Sequence, residues 1–539
     1  MVQARPWPLQ IHWLIIIAVV AAVYGRSLAF DFIQDDYYLL RPWSSAELAS
    51  VFHGPWDPKL WEPVFYRPLC TAWYAAMFWL FGLNATAIHF VSLVIVTALT
   101  LLLRSVVVRE TGSHRLGLFG GVLLLLHPAL SVSSVVWATS QHVFLGMICA
   151  VIAVRTWQWC RSGPDRRWLA LIPPLAAGMM FREDVVLVAP ALLVAQFARA
   201  RLVGDVPAPR LRLVGRMGAI LALAFALRYW LLGGLGGYGW IVIEDLHNAW
   251  RQGPRHALLT PAPGTPGAIA AAAVMTVGFI VGSIVLWRRG EPRLRALWTL
   301  GIAAMLSVNF AQFQFPAPMR FGLMTTLATL ALTAAAGALG QVILAHAGRV
   351  VAGVVIAAAL LPLAHTSRYA YSDRWSCNSL QFEVEMANEP VTTPDIRAFL
   401  LDLPRQCAGQ TFVRLNESAP VLAWGLAAPG AEGIRRMSEQ AATWLITPSA
   451  TTTRFKVRAT DASSGPSSVR FRTDAGDETT VRLNSTEWRE VAIPLRSSWL
   501  TRLRARHRLD MDVDGGLGSM PAVELSPLLL TSGLSGRLP

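Results

Sequence analysis

Gln34–Asp35–Asp36–Tyr37–Tyr38 places two adjacent carboxylates, edged by aromatic residues, directly after the first long apolar run of the chain. A carboxylate within hydrogen-bond reach of a hydroxyl takes its proton as the oxygen attacks an electrophile, so Asp35 and Asp36 are candidate general bases. Adjacent carboxylates also suit a hard divalent cation, Mg or Mn, although no cofactor is required by the spacing. Three arginines, Arg67, Arg182 and Arg320, stand at the edges of apolar runs. A guanidinium pairs bidentately with phosphate oxygens and stabilises a phosphate leaving group. Acid–base work by the carboxylates and anion binding by the guanidiniums are the chemistries open to these residue types. Each has a plainer reading: a turn at the membrane surface for the Asp pair, snorkelling for the arginines, and mutual neutralisation in Arg182–Glu183–Asp184. His127 and Gln141 flank apolar runs, where packing competes with lining a site. Asp510–Met511–Asp512–Val513–Asp514–Gly515 alternates carboxylates but lacks the later acidic ligand of a calcium loop.

The elements that must position these residues follow from composition. Of 539 residues, 54% are hydrophobic and only 15% charged, and the apolar residues are gathered in blocks. A bilayer core of about 30 Å needs about 20 apolar residues per helix. The blocks are Leu9–Ala29, Ala87–Leu103, Leu116–Ala129, Val143–Trp159, Trp168–Met180, Val185–Phe197, Leu213–Leu232, Ala268–Trp287, Leu297–Phe313, Phe321–Ala345 and Val350–His365. They predict a polytopic α-helical membrane protein with about eleven transmembrane helices, the first an uncleaved span rather than a signal peptide. The net charge of +14 is carried almost wholly by Arg. Up to residue 349 most of those arginines sit in short connectors, which argues for topology determinants and against a nucleic-acid partner.

Tyr66–Gly82 decides the topology. If this segment lies along the membrane face, the clusters Arg104/Arg109/Arg115, Arg155/Arg161/Arg166/Arg167, Arg199/Arg201/Arg210/Arg212/Arg216 and Arg288/Arg289/Arg293/Arg295 all fall on one side. If it crosses, those clusters move outside, against the positive-inside rule. The first option sets the N-terminus in the cytoplasm. It puts Asp35, Asp36, Arg67, His127, Gln141, Arg182, Glu183 and Arg320 together on the outer face. The expected division is a membrane domain over residues 1–366, with an outer loop at 30–65 and an interfacial helix at 66–82, then an outer domain at 367–539. In that second domain Arg454–Arg458, Val469–Arg472, Val481–Leu483 and Glu490–Ile493 alternate apolar and polar residues, which predicts a β-rich, sandwich-like fold. Cys377 and Cys407 are its two cysteines, and an oxidising outer compartment predicts a disulfide between them, contributing about 3–4 kcal/mol.

Taken in order, the motifs resemble a known family. Gln34–Asp35–Asp36–Tyr37–Tyr38, Tyr66–Arg67–Pro68–Leu69 with a closing Leu80–Phe81–Gly82, His127–Pro128 with Trp137, Phe181–Arg182–Glu183–Asp184 and Pro318–Met319–Arg320–Phe321 are similar to the C-type (GT-C fold) integral-membrane glycosyltransferases. That family includes the protein O-mannosyltransferases and the transferase that adds aminoarabinose to lipid A. The resemblance covers roughly residues 1–345. It implies inverting transfer of a hexosyl or pentosyl group from a polyprenyl-phosphate carrier to a lipid, glycan or protein acceptor. It also implies an acidic base at Asp35 or Asp36, carrier-phosphate contacts from Arg182 and Arg320, and a bacterial inner membrane with the outer domain in the periplasm. Gln141 departs from the Arg that some relatives carry. A transporter or lipid-linked-sugar flippase is the alternative, but it predicts an internal repeat, and none is visible.

Overall fold

A computed structural model describes residues 9–372 apart from 30–35, 41–42, 58–64, 83, 128–129, 131–136, 162, 164, 210, 234–257, 259–265 and 310–321. It also describes 422–426, 435–445, 450–460, 467–473, 477–496, 507–514, 523–525 and 529–532. Asp35, Arg320, Cys377 and Cys407 lie outside the described residues, so the structure does not bear on the expected disulfide. The chain divides into two compact units: Met1–Ser27, Leu39–Gly82 and Ile88–Ser372 form one, and Leu28–Tyr38, Leu83–Ala87 and Asp373–Pro539 the other.

The described helices are α1 (Leu9–Tyr24), α2 (Asp36–Leu39), α3 (Ser45–Ser50), α4 (Pro68–Phe81), α5 (Ala85–Thr111), α6 (His114–Leu126) and α7 (Gln141–Cys160). They continue with α8 (Ile172–Phe181), α9 (Val188–Leu202), α10 (Leu211–Leu232), α11 (Pro266–Arg289), α12 (Pro292–Asn309) and α13 (Gly322–Ser372). Every apolar block overlaps one of these helices, but two blocks are not single α-helices. A 3-10 turn, Asp165–Leu171, precedes α8, and another, Glu183–Leu187, precedes α9. Pro173 and Pro174 explain the first, because proline lacks an N–H and favours the opening turn of an α-helix. The last two blocks merge into α13 across Gly348, whose φ of 79° a residue with a Cβ rarely adopts.

Among the described residues four helical stretches are long and apolar enough to cross a membrane, Ala85–Thr111, Ala138–Cys160, Glu183–Leu202 and Leu323–His346, so the expected eleven spans are not reproduced by length and composition. Large apolar side chains on several helices face outward, among them Leu14, Trp79, Leu223, Val277 and Trp230. So many exposed apolar residues, on helices that satisfy their own backbone, define an integral membrane protein. Inside the unit the backbones approach closely at small residues. A Cβ on Gly301 of α12 would lie 2.5 Å from the Ala331 nitrogen of α13, and one on Gly282 of α11 2.6 Å from the Ala335 oxygen. Close approach of this kind supplies packing where lipid removes the hydrophobic driving force.

Side-chain bonds align the helix ends. Glu110, near the end of α5, pairs with Arg161 at the end of α7 (2.7 Å) and with Arg199 near the end of α9. Gly337 of α13 packs against Leu116 at the start of α6 and Leu294 at the start of α12. Four arginine-rich connectors therefore share one end of the unit, hereafter the basic end. At the opposite end, Tyr24 of α1 donates to the Leu125 carbonyl of α6 (2.5 Å), and Gln141 at the start of α7 donates to the Ile88 carbonyl of α5 (2.8 Å).

Among the described residues of the second unit, nine antiparallel strands form a sheet of order β5-β4-β7-β2-β8-β3-β6, with β1 on β2 and β9 on β3. The strands are β1 (Leu422–Leu426), β2 (Arg435–Leu445), β3 (Ala450–Ala459), β4 (Ser467–Thr473), β5 (Glu478–Leu483), β6 (Arg489–Pro494), β7 (His507–Asp514), β8 (Val523–Leu525) and β9 (Leu529–Ser532). All four alternating stretches read from the sequence are strands. Their inward residues, Phe455, Val457, Val469, Phe471, Val491, Ile493, Leu509 and Met511, make one core. Phe455 and Phe471 meet edge to face at 5.0 Å although β3 and β4 are not sheet neighbours, so the sheet folds over itself in the manner of a sandwich.

Candidate functional site

Opposite the basic end, several chain segments bring charge into one place. Arg67 is the N-cap of α4, held by the helix that Pro68 starts and by the preceding aromatic turn. The Trp56 nitrogen donates to the Phe65 carbonyl (2.8 Å), and the Thr71 hydroxyl donates to the Trp56 carbonyl (2.5 Å). That turn lays Phe65 under the Arg67 guanidinium at 3.8 Å and Trp56 at 5.8 Å. Arg67 Nε donates to Glu183 Oε2 at 2.8 Å. Burial works against the Arg67 charge, yet the Glu183 carboxylate, with help from Asp184, leaves its pKa raised. Among the described residues the terminal nitrogens of Arg67 have no hydrogen-bond partner.

Glu183 and Asp184 open the 3-10 turn between α8 and α9, and their side chains serve different arginines. Arg182 Nε donates to both Asp184 oxygens, at 2.9 and 2.8 Å. Glu183 Oε2 takes Arg67, while its Oε1 faces Arg228 Nη2 of α10 at 3.7 Å. That is an ion pair without a hydrogen bond, and Arg228 Nε is likewise buried without one. Among the described residues two guanidiniums thus share one carboxylate, with one positive charge in excess, and neither arginine is hydrogen-bond saturated. Gly146 of α7 makes this turn possible, since a Cβ there would lie 3.2 Å from the Arg182 Cβ.

Arg228 is absent from the sequence reading because it lies inside an apolar block. A guanidinium within such a block is itself a signal, since charge inside a membrane helix is costly and rarely idle. Gln141 is buried and engaged in helix packing: it accepts from Trp73 (2.7 Å) and donates to the Ile88 carbonyl and the Ser92 hydroxyl (2.9 Å). Beside it, the Tyr74 hydroxyl donates to the Thr139 carbonyl and accepts from the His142 N–H at 3.0 Å. His127 is buried at the C-cap of α6, at this same end. Asp36 is buried at the first position of α2 and belongs to the other compact unit. Among the described residues no group of three His, Cys, Asp or Glu side chains could hold a metal ion.

The path of α4 is also visible. Arg67 at its start reaches Glu183, and Tyr74 at its middle reaches Thr139. Start and middle therefore lie at the end opposite the basic connectors.

Fold and site together define a polytopic helical membrane unit with an arginine-rich charge cluster at one end, joined in sequence to an antiparallel β unit. Among solved structures, arabinosyltransferase EmbB from Mycobacterium smegmatis is similar, at 12% identity and a TM-score of 0.37, with 99% of this chain covered. This chain spans 66% of that one, just under two-thirds of its length. No family model matches the sequence, and no curated protein matches it.

Proposed function

We propose that the protein is an inverting membrane glycosyltransferase that takes a sugar from a polyprenyl-phosphate carrier and gives it to a lipid, glycan or protein acceptor. The observation that carries the reading is the pair Arg67 and Arg228 sharing the single carboxylate of Glu183. Two partly satisfied guanidiniums with one excess charge suit a phosphate leaving group, whose negative charge grows as the glycosidic bond breaks. Asp35 or Asp36 takes the proton of the acceptor hydroxyl, on the motif resemblance, and Arg320 adds a further phosphate contact. Arg182, held by Asp184, keeps the turn that presents Glu183. The basic end faces the cytoplasm by the positive-inside rule, α4 lies along the outer face, and the β unit lies outside, in the periplasm of a bacterial cell.

The test supplies purified protein with polyprenyl-phosphate sugars in detergent and measures sugar transfer or release. Asp35→Asn and Asp36→Asn are compared with wild type, and loss of about 10²–10⁴-fold in one of them is expected for a general base. Unchanged turnover in both variants rejects the base and, with it, this reading of the first outer loop.

A further inference from the structure

A second basic site lies at the far end of the helical unit, away from the cluster just described. Arg104, seven residues before the end of α5, is only 6% exposed. Its Nη2 lies 3.1 Å from His12 Nδ1 of α1 and 3.2 Å from His114 Nδ1 of α6. A guanidinium has no lone pair to offer, so both imidazoles accept through Nδ1 and carry no proton there. Neither therefore supplies negative charge. Arg104 Nε is buried without a hydrogen-bond partner, and no described carboxylate pairs with the group. The contrast at the same end is direct: Arg161 and Arg199 are buried too, and both are paired with Glu110.

A buried cation without a counter-ion is expensive, and an anion that enters settles both the charge and the orphan donor. His114 is the first residue of α6, so one helix N-terminus, partly positive, lies beside Arg104. Arg104 stands about 10 Å along α5 from its last residue, Thr111, at the basic end of the unit. Gly117 leaves room for its stem, since a Cβ there would lie 3.3 Å from the Arg104 Cγ. Basic pockets between membrane helices on the cytoplasmic side take anionic lipid headgroups.

We infer that His12, Arg104 and His114 form a binding site for a phosphate ester, with an anionic phospholipid headgroup as the occupant. The site is independent of the glycosyltransferase reading.

The test is native mass spectrometry of the full chain in mild detergent, titrated with phosphatidylglycerol, with phosphatidylcholine, or with inorganic phosphate. Wild type is expected to hold one phosphatidylglycerol about ten-fold more tightly than Arg104→Gln. Arg109→Gln, an exposed arginine of the same connector, is expected to match wild type. Arg104→Lys, which keeps the charge, and the His12→Ala/His114→Ala pair, which keeps Arg104, follow if Arg104→Gln does not fold. Preference for phosphatidylglycerol over inorganic phosphate identifies a lipid, and displacement by inorganic phosphate alone identifies a soluble phosphate. Equal binding of all three ligands to wild type and the Arg104 variants, or the same loss in Arg109→Gln, overturns the site.

Discussion

Arg228→Gln separates a phosphate-binding arginine from a structural one. Arg228 approaches Glu183 at 3.7 Å without a hydrogen bond, and the 2.8 Å bond from Arg67 to Glu183 does not depend on Arg228. The fold therefore loses little, because the substitution also removes a buried guanidinium whose desolvation a 3.7 Å pair repays poorly, and the thermal midpoint is expected to change by no more than a few degrees. A phosphate gaining negative charge is a different partner. Losing one charge-assisted hydrogen bond to it costs about 1.5–3 kcal/mol, which corresponds to about 10- to 150-fold in kcat/KM. The assay is steady-state transfer from a polyprenyl-phosphate sugar, with kcat and KM determined separately for Arg228→Gln and Arg228→Lys. Lysine keeps the charge but not the planar fork and is expected to recover part of the loss. Wild-type kcat/KM in Arg228→Gln, or a loss matched by an equally large fall in thermal midpoint, refutes the assignment.

Three further outcomes follow from the geometry. Glu183→Gln leaves Arg67 and Arg228 without their shared carboxylate, so it should lower the thermal midpoint while tightening binding of polyprenyl phosphate in an equilibrium titration. Glu110→Gln leaves the buried Arg161 without its carboxylate and Arg199 with Asp205 alone; breaking such a buried pair costs about 3–5 kcal/mol, which detergent thermal unfolding reads as a fall of several degrees. Phe471→Ala removes the ring that meets Phe455 and should cost the β unit about 3–5 kcal/mol, measured by denaturant unfolding, with little effect on the helical unit.

Much of the architecture was legible in the sequence because two periodicities dominate it. Apolar blocks gave the helices, and period-two alternation gave the strands around Phe455, Phe471 and Ile493. The positions of the basic connectors also told which helix ends belong together, since Glu110, Arg161 and Arg199 meet as that pattern requires. Helix type was less legible: the turns at Asp165–Leu171 and Glu183–Leu187 are 3-10, a local choice that block hydrophobicity does not encode. In the site, Arg67 and Glu183 were singled out from the sequence, but their mutual bond spans 116 residues and no local pattern reports it. Arg228 was hidden because averaging over an apolar window suppresses a single charge. Gln141 reads from the sequence as a candidate contact to substrate, and its amide bonds to α4 and α5 are long-range partnerships that no local pattern reports.

Asp35 and Arg320 stand outside the described residues, so the glycosyltransferase account rests most on where the carrier phosphate binds. A cryo-EM structure of the full chain in a lipid nanodisc with a bound polyprenyl phosphate measures that directly. The account predicts the phosphorus between Arg67 and Arg228, within hydrogen-bond reach of both guanidiniums, with the Glu183 carboxylate moved off at least one of them. A phosphate bound elsewhere in the unit, with the Arg67–Glu183 bond intact, contradicts it.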